Sequence, residues 1–252
     1  MTEDQILAVK CGVLVKTTLV DFPGTVASTV FLRGCNLRCP YCYNTELVLG
    51  PAFSISKEAQ TEFVSGVQVL EHLFKRKNVI SGLVISGGEP LLNPVTPILI
   101  KKAKAMGFKI KLDTNGTLPH LLAPLMADES TRPDFVAMDF KTSPERYGKD
   151  IPLLGNNGKP VLQLLKETIN LISAYKSEHY EIRTVLVPGL VTKNEIRSMA
   201  EIIPQDASWQ FAQFRNENCI DKSYNEITPY TDSQLNELIA CAKSFIPKSA
   251  LR

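Results

Sequence analysis

The 252-residue chain has no long hydrophobic run. Nothing approaches the roughly 20 apolar residues that cross a bilayer. The first nine residues, Met1 to Val9, are polar with two acids, so no secretory signal is expected. Charge of one sign is also lacking: 28 Lys and Arg stand against 26 Asp and Glu, for a net charge of +2. The Lys and Arg are scattered. The nearest thing to a basic run, Lys75-Arg76-Lys77, falls at an expected helix end, where cations suit the helix dipole. That is a poor footprint for nucleic acid. There are only three His, at 72, 120 and 179, and they are isolated. Internal repeats and low-complexity segments are absent. These absences predict a soluble, cytoplasmic protein with neither a membrane nor a nucleic acid as partner.

What is present is core-forming material, 44% hydrophobic residues, arranged in a rhythm of short apolar run, turn and amphipathic helix. Strands are expected at residues 26–32, 83–86, 108–112, 135–139, 180–187 and 208–214. Helices are expected at 57–77, capped by Ser56, and at 97–106, 118–126, 159–175, 193–202 and 232–245. The first of these helices would bury Phe63, Val64, Val67, Leu70 and Phe74. Such alternation implies a parallel sheet with right-handed crossovers. Six units fall short of the eight that close a full barrel. The expected fold is therefore α/β, a partial (β/α)6 barrel of parallel strands. It would form a single domain over residues 1–252, with a core at about 20–215 and a closing helix at about 231–246. Chemistry should sit beyond the carboxyl ends of the strands.

The six cysteines are unevenly placed. Cys35, Cys39 and Cys42 lie within eight residues, as Gly-Cys-Asn-Leu-Arg-Cys-Pro-Tyr-Cys-Tyr-Asn over 34–44. In a cytosolic chain such a cluster points to metal rather than to disulfides. Structural zinc wants four closed ligands, and no fourth Cys or His follows at finger spacing. Three thiolates leave an open position, which suits a 4Fe–4S cluster with one iron free. Ordinary loop cysteines or a partial zinc site remain the alternatives on spacing alone. Cys11, Cys219 and Cys241 are isolated and read as small buried hydrophobes.

The CxxxCxxC spacing, with Tyr41 before the third Cys, resembles the signature of the radical S-adenosylmethionine (SAM) superfamily. The extension to Asn44 is similar to the signature of glycyl-radical enzyme activases. The stretches Thr18-Leu-Val-Asp-Phe-Pro-Gly24 and Val30-Phe-Leu-Arg-Gly-Cys35 resemble the lead-in of anaerobic ribonucleoside-triphosphate reductase activating proteins, in their longer form. This resemblance runs to about Phe214.

The resemblance assigns expected roles. Cys35, Cys39 and Cys42 would hold the cluster, with SAM on its fourth iron. Gly87, Gly88, Glu89 and Pro90, in the run Ser86-Gly-Gly-Glu-Pro90, match the motif that holds the methionine amine. Taken alone, that run is only a turn whose glycines let a ligand approach the backbone. Asp113, Thr114 and Asn115 match a region beside SAM, read here as following the third strand. Asp139 and Lys141 match an Asp-Leu-Lys motif that flanks the SAM carboxylate and ribose, with Phe140 departing from the usual Leu. Arg183, in Arg183-Thr-Val-Leu-Val-Pro-Gly189, would meet a SAM carboxylate as a bidentate donor. Tyr41 and Asn44 complete the cofactor-binding set. A monovalent cation near Asp113 and Asp139, with Thr114, is a further implication. Gln210 to Arg215 resembles the family's Gln-Phe-Arg ending.

The function implied is reductive cleavage of SAM to methionine and a 5′-deoxyadenosyl radical, used to make a glycyl radical on a partner enzyme. Only 46 residues (43–88) separate Cys42 from Glu89, and none is Cys. The extra cluster insert of some activases is therefore missing. That favours the ribonucleotide reductase or pyruvate formate-lyase branch, and the Asp21-Phe-Pro-Gly24 lead-in favours the former. A flavodoxin- or ferredoxin-type electron donor is implied. The competing readings are a radical SAM enzyme with a small-molecule or peptide substrate, a non-catalytic iron–sulfur electron carrier, and a zinc interaction module. An electron carrier would not bind SAM, and a zinc module would take up no iron.

Overall fold

A computed structural model describes residues 1–50, 62–155, 158–175 and 177–252. The chain divides into two compact units. The first comprises Met1–Cys35, Glu46–Thr114 and His120–Val136; the second comprises Asn36–Thr45, Asn115–Pro119 and Ala137–Arg252.

In the first unit the strands are β1 (Lys10–Thr18), β2 (Ala27–Leu32), β3 (Val64–Ser65), β4 (Gly82–Gly87) and β5 (Lys109–Thr114). Their order is β3-β1-β2-β4-β5. β2, β4 and β5 run parallel, with Ala27 opposite Gly82 and Leu32 opposite Gly87. Strands covered on both faces read as near-continuous apolar runs, and Ala27, Val30, Leu32, Leu83, Val84 and Ile85 are all fully buried. β1 is antiparallel to β2 and to β3. Helices α1 (Glu3–Ala8), α3 (Gly66–Arg76) and α4 (Val95–Ala105) lie wholly in this unit, as does most of α2 (Thr45–Leu49) and of α5 (Pro119–Ala127).

In the second unit the sheet order is β6 (Phe135–Asp139), which begins in the first unit, then β7 (Tyr180–Leu186), β8 (Ser208–Gln213) and β9 (Ser249–Leu251). β7, β8 and β9 are parallel. The helices are α6 (Val161–Ser173), α7 (Lys193–Ala200) and α8 (Asp232–Lys243). Thr192 with Glu195, and Thr231 with Gln234, close capping boxes that satisfy the first backbone N–H groups of α7 and α8. Trp209 is the largest fully buried side chain, and its indole N–H donates to Thr184 Oγ1 at 3.0 Å.

The α/β class with a mostly parallel sheet is as expected, and all six expected strands are present. Three local readings change. The expected helix at 57–77 begins at Gly66, capped by Ser65, and Val64–Ser65 is a strand against β1. The Ser56 cap lies outside the described residues. The buried stripe of α3 is Gly66, Val69 and Leu73, while Val67 and Phe74 are exposed. A stripe of alternating branched residues can be read one step out of phase, and here the packing partners decide it. Next, β5 extends to Thr114, so Asp113 and Thr114 stand on the strand rather than after it. Finally, α1, β1, α2 and β9 carried no expectation. β1 escapes notice because it is half exposed and interrupted by Gly12, whose Cβ would lie 2.3 Å from Phe31 O. Among the described residues no helix is long and apolar enough to cross a membrane.

Candidate functional site

The expected site residues fall in both units, and each set is built by its own neighbours. In the first unit the end of β4 turns sharply. Gly87 has φ +126°, a conformation that side-chain-bearing residues rarely adopt. A Cβ on Gly88 would stand 2.1 Å from Gly34 O and 3.1 Å from Cys35 Cβ. The N–H groups of Gly88 and Glu89 donate to Leu32 O and Gly34 O at 2.9 and 2.8 Å. The Gly-Gly-Glu turn is therefore laid against the backbone that leads into Cys35, a contact no larger residue at position 88 would allow.

Glu89 has no exposed surface. Its Oε1 accepts from Thr114 Oγ1 at 3.0 Å and from the Leu91 N–H at 3.1 Å, which caps the single turn Pro90–Leu92. Also on β5, Lys111 Nζ donates to Asp113 Oδ1 at 2.6 Å, and Ser86 Oγ donates to Oδ2 at 2.9 Å. Residues two apart on a strand share a face, which is why Lys111 reaches Asp113. Lys111 and Ser86 were not singled out from the sequence. A lysine at that parity within the apolar stretch Phe-Lys-Ile-Lys-Leu-Asp is the signal that could have found the first.

In the second unit the cysteine loop is anchored from both sides. Leu154 N–H donates to Asn36 O at 2.7 Å, and Arg38 N–H donates to Pro152 O at 2.9 Å. Ile220 and Asp221 donate to Cys42 O and Pro40 O at 3.0 and 2.9 Å. Three buried side chains close a ring beneath it. Asn115 Nδ2 donates to Asn36 Oδ1 at 2.8 Å, Asn36 Nδ2 donates to Thr117 Oγ1 at 2.8 Å, and Thr117 Oγ1 donates to Asn115 Oδ1 at 2.6 Å. Asn115 thus meets the loop through Asn36, and Asn36 and Thr117 are further residues that sequence reasoning missed. Burial pushes the Cys42 thiol up; the Asn44 backbone N–H, Lys141 and Arg38 oppose it without cancelling it.

Tyr41 is buried, with its ring edge-on to Phe214 at 6.5 Å between centroids. Phe214 belongs to the Gln210–Arg215 segment, so packing against Tyr41 is the role the structure gives it. The Tyr41 hydroxyl has no hydrogen-bond partner among the described residues.

Asp139 stands between two cations. Arg183 Nε donates to its Oδ1 at 2.7 Å and Lys141 Nζ to its Oδ2 at 3.0 Å. Burial pushes this carboxyl up, but Arg183 and Lys141 outweigh it and hold Asp139 well below the usual carboxylate range. Tyr147, also unforeseen, accepts the Lys141 backbone N–H at 2.9 Å. Phe140, between the two charged residues, is fully buried, so the departure from Leu is a core substitution. The three charged groups sum to one net positive charge, an arrangement suited to an anionic ligand group.

All six cysteines are free thiols. Among the described residues no group of three or more His, Cys, Asp or Glu stands close enough to hold a metal ion. The donor chemistry nonetheless fits an iron–sulfur centre: three soft thiols in eight residues, on a loop whose backbone is pinned. A buried hydroxyl without a partner costs about 1–3 kcal/mol, and Tyr41 offers one to a polar ligand atom. The monovalent cation fits less well, because the charge on each of the two carboxylates is already answered by a neighbouring Lys or Arg.

A family model described as the Radical SAM superfamily matches residues 29–203. A Methanocaldococcus jannaschii protein, named provisionally as a glycyl-radical enzyme activating enzyme, is 28% identical over 242 residues, covering 95% of this chain and 94% of its own. The pyruvate formate-lyase-activating enzyme of Clostridium pasteurianum is 30% identical over 191 residues, covering 73% and 72%. Among solved structures, QueE from Escherichia coli superposes with a TM-score of 0.55 at 15% identity, covering all of this chain and 98% of its own. The chain is an enzyme of the radical SAM superfamily.

Proposed function

We propose that this enzyme generates a glycyl radical on a partner, and that the partner is an anaerobic ribonucleoside-triphosphate reductase. The observation that carries the SAM-binding part is the Gly-Gly-Glu turn packed against the Gly34–Cys35 backbone, which sets the amine-binding motif beside the first of the three cysteines. The activating role is supported by relatives named as glycyl-radical enzyme activating enzymes, and the reductase by the Asp21-Phe-Pro-Gly24 lead-in.

When bound, a 4Fe–4S cluster with SAM would supply one-electron reductive cleavage of the sulfonium to methionine and a 5′-deoxyadenosyl radical. Cys35, Cys39 and Cys42 would hold the iron as thiolates. Glu89 would accept hydrogen bonds from the methionine ammonium. Arg183 and Lys141, held in place by Asp139, would meet the methionine carboxylate. Tyr41 and Asn44 would line the cofactor, as would Asp113, Thr114 and Asn115. No side chain need act as a general base, because a hydrogen atom rather than a proton leaves the glycine. The electron arrives from a flavodoxin- or ferredoxin-type donor.

The test is transfer of the radical. The reconstituted, reduced protein is incubated with SAM and either an anaerobic ribonucleotide reductase or a pyruvate formate-lyase, and electron paramagnetic resonance is recorded. A glycyl doublet on the reductase and not on the lyase is expected. A doublet only on the lyase reassigns the partner. SAM cleavage with no doublet on either favours a small-molecule or peptide substrate.

A further inference from the structure

Asp113 comes with a cation of its own. Lys111 Nζ lies 2.6 Å from Asp113 Oδ1, and Ser86 Oγ donates to Oδ2 at 2.9 Å. Lys111 has no exposed surface and Asp113 has 8%. The pairing is set by the strand, since residues two apart on β5 point the same way. The Phe135 ring lies beneath, its centroid 6.0 Å from Nζ, within the range in which an ammonium is attracted to an aromatic face. The Thr114 hydroxyl, a further expected cation ligand, donates its proton to Glu89 Oε1.

This donor set disagrees with the exchangeable monovalent cation that the family resemblance implies at Asp113. Both carboxylate oxygens have partners, and a full positive charge is already in contact with one of them. A second cation beside a buried ammonium would meet repulsion strengthened by the low local dielectric. We infer that Lys111 is the built-in counter-ion of Asp113, taking the place of an exchangeable monovalent cation. It is a positioning residue: it fixes the carboxylate, and through the β4–β5 contact at Ser86 it fixes the strand end that carries Thr114. Only the SAM-affinity part of the consequence rests on the function proposed above.

The experiment compares thermal melting of the full, anaerobically reconstituted chain in potassium, sodium and choline chloride at matched ionic strength. Wild type is expected to melt within about 1 °C in all three salts, a shift small beside that of one broken interaction. Lys111→Ala removes the ammonium in contact with the carboxylate and opens space beside it. Its melting point should fall by about 10 °C in choline chloride. Potassium or sodium should restore a good part of that loss, and SAM affinity should recover in parallel. A wild type that melts several degrees higher in potassium than in choline overturns the inference. A Lys111→Ala variant indifferent to the cation does so too, since packing alone would then explain the residue. If that variant does not fold, Lys111→Met with Asp113→Asn removes both charges. The double variant should recover most of the stability that Lys111→Met alone loses, and failure to do so counts against the counter-ion role. A wild type that binds no SAM in any salt counts against the proposed function, while the melting series still decides the ion question.

Discussion

Glu89 is a carboxylate with no exposed surface, held by the Thr114 hydroxyl and the Leu91 N–H. In the proposed function this buried carboxyl group receives a ligand ammonium, and hydrogen bonds with a charged partner are the strong ones. Glu89→Gln keeps an acceptor oxygen for Thr114 and Leu91, so its melting point should move by only a few degrees. SAM affinity, measured by equilibrium dialysis, should fall by roughly tenfold to a hundredfold, the range for losing a charged hydrogen bond. Unchanged affinity would remove Glu89 from the site. Asp139 makes a pH-dependent prediction. Its carboxyl is held below the ordinary value near 3.9, so its contribution to stability is present above about pH 4 and is lost as pH falls further. Asp139→Asn should therefore be less stable than wild type at neutral pH, and the gap should narrow in denaturant titrations below about pH 4. A gap that widens in acid would contradict the pairing with Arg183 and Lys141.

At the scale of elements, β4 and its turn do the most to shape the first unit's share of the site. Gly88→Ala would drive a methyl into Gly34 O, with Cys35 next to it. Overpacking of this kind costs about 1–3 kcal/mol. Lower iron uptake on anaerobic reconstitution is expected, together with a lower melting point, and wild-type iron content would show that the turn does not set the cysteine loop. The parallel strands were legible because apolar runs buried on both faces need no phase to be recognised. Helix α3 was not, because its buried stripe of Gly66, Val69 and Leu73 includes a glycine that counts as apolar only through its contact with Leu7 and Val95. Its true cap, Ser65, should be worth about 1 kcal/mol, measurable as the loss in Ser65→Ala. Motif residues were readable as residue types. The supports Asn36, Thr117 and Ser86 were not, because a buried hydrogen bond between segments distant in sequence leaves no local pattern.

At the scale of the molecule, each unit holds some of the expected site residues. The first carries the Gly-Gly-Glu turn, Asp113 and Cys35; the second carries Cys39, Cys42 and the Asp139 cluster. Membership of the radical SAM superfamily rests on a match spanning residues 29–203, which includes all of them. The most direct test is formation of 5′-deoxyadenosine. The full chain is reconstituted with iron and sulfide without oxygen, reduced and given SAM, with Cys39→Ala alongside. Product from wild type and none above background from Cys39→Ala is the expected result. Wild type loaded with iron that yields no 5′-deoxyadenosine, and whose spectrum does not change on adding SAM, would contradict it.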